Sequence, residues 1–139
     1  MKKSTLINSE LSYVVATLGH TDEVTVCDAG LPIPDETQRI DLALIPGVPT
    51  FIQTVQALLS EMQIEGVVMA EEFKQISPEH HSALISLIKH EEALCGKAIT
   101  VRYIPHDAFK VETKNSKAVI RTGECTPYAN VIFQSGVVF

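Results

Sequence analysis

His20, Asp28, Glu71, Glu72, His106, Glu124, Tyr128 and Asn130 all fall where the sequence passes from one regular element to the next. Imidazoles, carboxylates, a phenol and an amide together move protons and hydrogen-bond hydroxyl groups. No G-x-G-x-x-G, P-loop or G-x-S-x-G string accompanies them, so dinucleotide, nucleotide and α/β-hydrolase chemistry have no local support. A metal triad of two histidines and an aspartate would lack a pair of ligands on one element, because no H-x-H, H-x-x-x-H or E-x-x-H spacing occurs. Cys27, Cys95 and Cys125 are odd in number and lack a C-x-x-C pair, which disfavours a disulfide framework or a thiolate zinc site. Cys27 ends an apolar run and reads as a small buried hydrophobe. Neither metal nor cofactor is expected. Acid–base work on a polyhydroxylated ligand remains.

The elements that must position these groups follow from periodicity and punctuation. Asn8 or Ser9 caps a helix carrying Leu11, Val14, Val15 and Leu18 on one face, with Gly19 as its stop. His20 then sits past a helix C-terminus, where the dipole favours positive charge. Glu23 to Cys27 is a strand, so His20 and Asp28 stand at its opposite ends, separated by roughly 3.3 Å per residue. They can share a pocket if the chain folds back or if a second subunit supplies one of them. Pro32 and Pro34 stiffen the loop after Asp28. Ile40 to Leu44 reads as a second strand and Pro46-Gly47-Val48-Pro49 as a turn.

Thr50 and Gln53 form a capping box ahead of the stripe Phe51, Val55, Leu58, Leu59 and Met62, which predicts a helix. Ile64 to Ala70 is a nearly unbroken apolar strand of the kind covered on both faces. Ser77-Pro78-Glu79 opens a third helix through Ala83, Leu84, Leu87, Ile88 and Leu94 to Gly96, with His80, His81 and His90 expected on its solvent side. Ile99, Val101 and Tyr103 alternate as a strand. A short helix follows from Pro105 to about Thr113, with Asp107 as its cap. Lys117 to Thr122, Val131 to Phe133 and Val137 to Phe139 read as strands around a polar loop, and the apolar end is expected in the core or against another subunit. Helices alternating with strands predict α/β: a single domain over residues 1–139, with a mixed, largely parallel sheet covered by helices in three layers.

The bulk composition narrows the partners. At 139 residues, 45% apolar and 20% charged, the chain supports one globular domain with a real core. A net charge of −6 without a basic run argues against nucleic acid, and no apolar run approaches a membrane span. Asn8, Ser9 and Glu10 interrupt the apolar stretch that a signal peptide needs, which makes the cytoplasm the default.

The strings Leu18-Gly19-His20-Thr21-Asp22, Cys27 to Pro34 (CDAGLPIP), Ile40-Asp41-Leu42-Ala43, Ala70-Glu71-Glu72 and Arg121 to Asn130 (RTGECTPYAN) run in order along the chain. In these strings the chain resembles the D-ribose pyranase family, which is related to the L-fucose mutarotases. The resemblance implies a cytoplasmic, cofactor-free isomerase that interconverts the β-pyranose and β-furanose forms of D-ribose. It implies ring-shaped homo-oligomers, typically decamers, with the site at a subunit boundary. His20 matches the family's proton donor, Asp28 and His106 match sugar-contacting positions, and Tyr128, Ala129 and Asn130 match the sugar-binding loop. Either Asp28 or His106 is open to the role of general base. Three alternatives stand beside this one: a mutarotase for L-fucose or another monosaccharide, a ribose-binding transport accessory without turnover, and a metal-dependent isomerase or hydrolase using His20, Asp28 and His106.

Overall fold

A computed structural model describes residues 1–139. Asn8 starts α1 (Ser9–Thr17) by accepting the Leu11 N–H on its side chain. The helix ends one residue before Leu18, which is extended. Gly19 is not the left-handed stop expected of it. Thr21 takes the positive φ (70°) instead, and Asp22 accepts the Gly19 N–H on its carboxylate. β1 (Glu23–Cys27) follows as expected, whereas the second strand shrinks to β2 (Arg39–Asp41). The Thr50–Gln53 capping box is present at the head of α2 (Phe51–Leu59), with both reciprocal hydrogen bonds formed. Met62 lies beyond the helix yet is buried.

β3 (Ile64–Ala70) has its expected bounds, and Glu71 and Glu72 at its end open a short helix, α3 (Glu71–Ile76), absent from the expected elements. α4 (Pro78–Cys95) closes on Gly96 at φ 68°, a backbone conformation that favours glycine. Ser77 stands at the N-cap but makes no capping bond. β4 (Thr100–Ile104), α5 (His106–Glu112), a 3₁₀ turn (Thr113–Asn115), β5 (Ser116–Arg121) and β6 (Val131–Ser135) complete the chain. Asp107 lies inside the first turn of α5, paired with Lys110 at 2.7 Å, and is not the cap. Val137 to Phe139 form no strand. Val138 and Phe139 are exposed, so the core is not where this apolar segment packs.

The six strands lie in the order β2-β5-β1-β6-β3-β4. β2, β5 and β1 pair in parallel, as do β3 and β4, while β6 runs antiparallel between β1 and β3. Every strand except β6 therefore points the same way, and the sheet has one C-terminal edge and one N-terminal edge. Successive strand residues alternate between two apolar clusters, as a pleat requires. Val26, Val67, Ile120 and Phe133 face α1 to α4, packing with Leu11, Val14, Phe51, Leu58, Phe73, Leu84 and Ile88. Cys27, Val68, Val119 and Ile132 face α5, packing with Phe109. Helices thus cover both faces, four on one side and one on the other.

Phe133 is fully buried in the central antiparallel strand. Phe133→Ala is expected to cost about 3–5 kcal/mol, and Thr50→Ala, which removes only the α2 cap, about 1 kcal/mol. Urea unfolding at one fixed protein concentration checks both.

Candidate active site

The C-terminal edge of the sheet collects most of the chemistry. Asp28 follows β1, Glu71 and Glu72 follow β3, His106 follows β4, Glu124 follows β5, and Tyr128 to Asn130 lead into β6. In open α/β sheets this is the edge where ligands bind. Asn130 is fully buried and grips Asp28 twice: its amide oxygen accepts the Asp28 N–H at 2.8 Å, and its amide nitrogen donates to the Asp28 carboxylate at 3.0 Å. The second Asp28 oxygen accepts the Gly30 N–H at 2.9 Å, which fixes the carboxylate plane. Both oxygens keep lone pairs for hydroxyl donors.

His106 is held by shape rather than by hydrogen bonds to its ring. Tyr128 meets it edge-to-face at 4.9 Å between ring centroids, and Phe109 stacks on it at 6.3 Å. Its Nδ1 is buried without a partner. Glu72 accepts the His106 backbone N–H at 3.0 and 3.3 Å and so caps α5, the role expected of Asp107. Tyr128 has φ 63°, the left-handed region that a bulky residue seldom occupies. Ala129 is fully buried and offers only its backbone for polar contact. Asp28, His106, Tyr128, Ala129 and Asn130 thus share one edge.

His20 is not among them. It precedes β1 at the N-terminal edge, beside the end of β6, where Thr21 donates to the Ser135 carbonyl at 2.9 Å. Its Nε2 pairs with Glu65 at 2.8 Å and its side chain is 55% exposed. Glu65, and not the end of α1, provides its negative partner. The five residues of β1 separate the two edges, a distance of about 16 Å. No fold-back brings His20 to Asp28 within one chain. No group of three or more His, Cys, Asp or Glu side chains is placed to hold a metal ion.

Comparison with known proteins bears on this arrangement. The family model described as RbsD / FucU transport protein family matches residues 1–138. The chain belongs to that family. The D-ribose pyranase of Photobacterium profundum is 81% identical over 139 residues, the whole of both chains. Among solved structures, Bacillus subtilis RbsD complexed with D-ribose superposes with a TM-score of 0.91 at 45% identity, covering all of both chains. The fucose mutarotase of Streptococcus pneumoniae, solved with L-fucose, shares the fold at a TM-score of 0.80, full coverage and 20% identity.

In this RbsD / FucU family chain, two of the three α4 histidines depart from the solvent role expected of them. His81 is buried, bonded to the Tyr103 hydroxyl at 2.7 Å and edge-on to Phe73. Burial, with Lys74 adding a smaller effect, holds it below the ordinary histidine pKa. His80 lies 3.6 Å from the Glu124 carboxylate, and only His90 is simply exposed. The signal for His81 was its spacing, since it shares a stripe with Leu84 and Ile88 at i+3 and i+7. Cys27 does behave as a buried hydrophobe, and burial followed by the neighbouring Asp28 pushes its thiol up to about 12.

Three outcomes follow from this chemistry. At about pH 8 a thiol reagent is expected to modify Cys125 and Cys95 in the folded protein but Cys27 only after denaturation. Above the ordinary thiol pKa the unfolded chain releases the Cys27 proton first, so Cys27→Ala should flatten the alkaline fall in stability. Asn130→Ala, which strips partners from Asp28, should cost about 1–3 kcal/mol in urea unfolding.

Proposed function

We propose that this chain is a D-ribose pyranase, an isomerase that interconverts β-D-ribopyranose and β-D-ribofuranose. One observation carries the reading: Asp28, His106, Tyr128 and Asn130 stand together on the ligand-binding edge of a chain 81% identical to a D-ribose pyranase. The edge offers what a sugar needs, a carboxylate with free lone pairs, an imidazole, a phenol and an aromatic wall. The ribose complex of a 45% identical relative favours ribose, whereas the likeness to the fucose enzyme extends to the fold alone.

The reaction needs two proton movements. Loss of the anomeric hydroxyl proton to a base forms the C1 aldehyde as the C1–O5 bond breaks, and an acid protonates O5. Rotation brings O4 to C1. O4 then adds to the carbonyl and gives up its proton while the aldehyde oxygen takes one, so atoms and charge balance. His20 serves as the acid, delivered by a second copy whose N-terminal edge meets this C-terminal edge. Asp28 or His106 accepts the anomeric proton, and the Tyr128–Asn130 loop holds the remaining hydroxyls. No cofactor takes part. The assembly is a ring-shaped homo-oligomer, a decamer in keeping with the family, working in the cytoplasm. Two features support a subunit boundary: His20 lies across the sheet from its partners, and the apolar Val138 and Phe139 lie exposed close to the end of β6.

Proton NMR with saturation transfer between the anomeric signals of D-ribose tests the activity. Wild type should accelerate pyranose–furanose exchange in chelator, His20→Ala should abolish it, and L-fucose should show little effect. Absence of acceleration with ribose overturns the reading. Unfolding and refolding an equimolar mixture of His20→Ala and His106→Ala chains tests the boundary. Random assembly should restore about a quarter of wild-type activity, because half the sites receive each intact edge. No restoration, where wild type refolded alone regains its activity, would overturn the shared site.

A further inference from the structure

Ser77, His80 and Glu124 contact no group assigned above to the sugar, yet all act on the chain just ahead of Tyr128. One Glu124 oxygen accepts the Thr126 hydroxyl at 2.8 Å and the Thr126 N–H at 3.2 Å, while the other accepts the Phe51 N–H of α2 at 3.1 Å. His80 Nε2 stands 3.3 Å from the Thr126 hydroxyl and 3.6 Å from the carboxylate. Burial alone would raise the Glu124 pKa, but Thr126, Phe51 and His80 outweigh it and hold the carboxyl below its ordinary range. The next residue, Pro127, has its carbonyl held by the Ser77 hydroxyl at 2.6 Å. Ser77 occupies the N-cap of α4, where a serine hydroxyl normally serves the helix, yet its own is turned to the loop.

Tyr128 comes directly after these two anchors, at φ 63°. Such a backbone persists in a bulky residue only where the surroundings over-determine it. On the far side the Asn130 N–H donates to the Tyr128 carbonyl at 2.7 Å. Asn130 belongs to the sugar loop; the anchors on the near side belong to α4 and to the end of β5.

We propose that Ser77 and Glu124, acting through Pro127 and Thr126, are positioning residues that set the Tyr128 ring against His106 and so fix the shape of the sugar pocket. The proposal rests on the ribose reading given above. It assigns a role to the N-cap of α4, which carries none of the sugar contacts.

Ser77→Ala, Thr126→Val and Thr126→Ser test it with two readouts. The first is the chemical shift of the His106 ring protons, which feel the Tyr128 ring current without any turnover, with Tyr128→Leu as the reference for a missing ring. Ser77→Ala and Thr126→Val should move these signals toward the Tyr128→Leu position, and Thr126→Ser, which keeps the hydroxyl, should return them. The second is ribose exchange kinetics, where the same two variants should raise KM about three- to tenfold with kcat changed less than twofold, again rescued by serine. His106 signals that stay at their wild-type position in both variants overturn the proposal, whatever happens to thermal stability. A wild-type protein inert toward ribose would sink the functional reading while the ring signals still decide the positioning role. Should Thr126→Val fail to fold, Ser77→Ala, which removes one hydrogen bond, decides alone.

Discussion

Asp28 and Asn130 lie 102 residues apart and hold each other through two hydrogen bonds, and the C-terminal edge of the sheet depends on that pair. The pairing follows from the sheet. β6 runs antiparallel to β1 with Val131 opposite Val26, so the residue that opens β6 falls beside the residues that close β1. A buried amide satisfied at both ends is stable, whereas one left with a missing partner bears its full desolvation cost. The same Asn130 bonds back to Tyr128, which orients the ring that packs on His106. One register in one antiparallel pair thus sets the acid and the amide together, and Asn130 ties the Tyr128 backbone to them.

The same sheet forbids the last component. With β1 and β3 both antiparallel to β6, Asp28 and Glu71 lie on one edge of the sheet, and His20 is on the other. Side-chain rotation cannot cross a strand. If a second copy presents its N-terminal edge to this one, the contact joins unlike surfaces. Unlike surfaces close into rings where the rotation allows it and extend into filaments where it does not. The ring proposed above, with a site at each joint, is the closed form of such a contact. Within the single chain, Glu65 partners the His20 imidazole at 2.8 Å.

How much of this was legible in the residues varied with length and with sequence separation. The capping box at Thr50, the apolar run of β3 and the glycine end of α4 carry local signals many residues long, and the structure has them as written. α3 has six residues and β2 three, too few for a period to emerge. Val137 to Phe139 have strand-forming side chains but no strand to pair with, and propensity yields to partner. His81 was misread by its chemistry, since a polar residue on an apolar stripe looks like solvent surface until Tyr103 is found beside it. Asp107 lost its cap to Glu72 because a bidentate carboxylate from α3, 34 residues earlier, already occupied the His106 N–H. The residues that gather at the C-terminal edge were legible as loop strings and through family resemblance. The Glu65 partner of His20 was not, because nothing local records a contact between the start of β3 and the turn before β1.

Interconverting two sugar rings proceeds in water without help, so the protein's task is placement more than force. An acid must stand near the ring oxygen and a base near the anomeric hydroxyl, and the opened chain must be kept from leaving before O4 closes on C1. Placement gains most when it exists before the ligand binds, because the cost of ordering the loop is then met during folding. Tyr128 illustrates the arrangement. Its left-handed backbone costs about 1–2 kcal/mol, and the hydrogen bonds on its two sides offset a cost of that size. Gly123 adds the same rigidity one turn earlier, where a Cβ would collide with the backbone of Val48 and Ile45. Folding energy drawn from the core thus maintains a strained loop. A loop free to relax would hold the same residues and lose the geometry that lets two proton transfers act on one sugar.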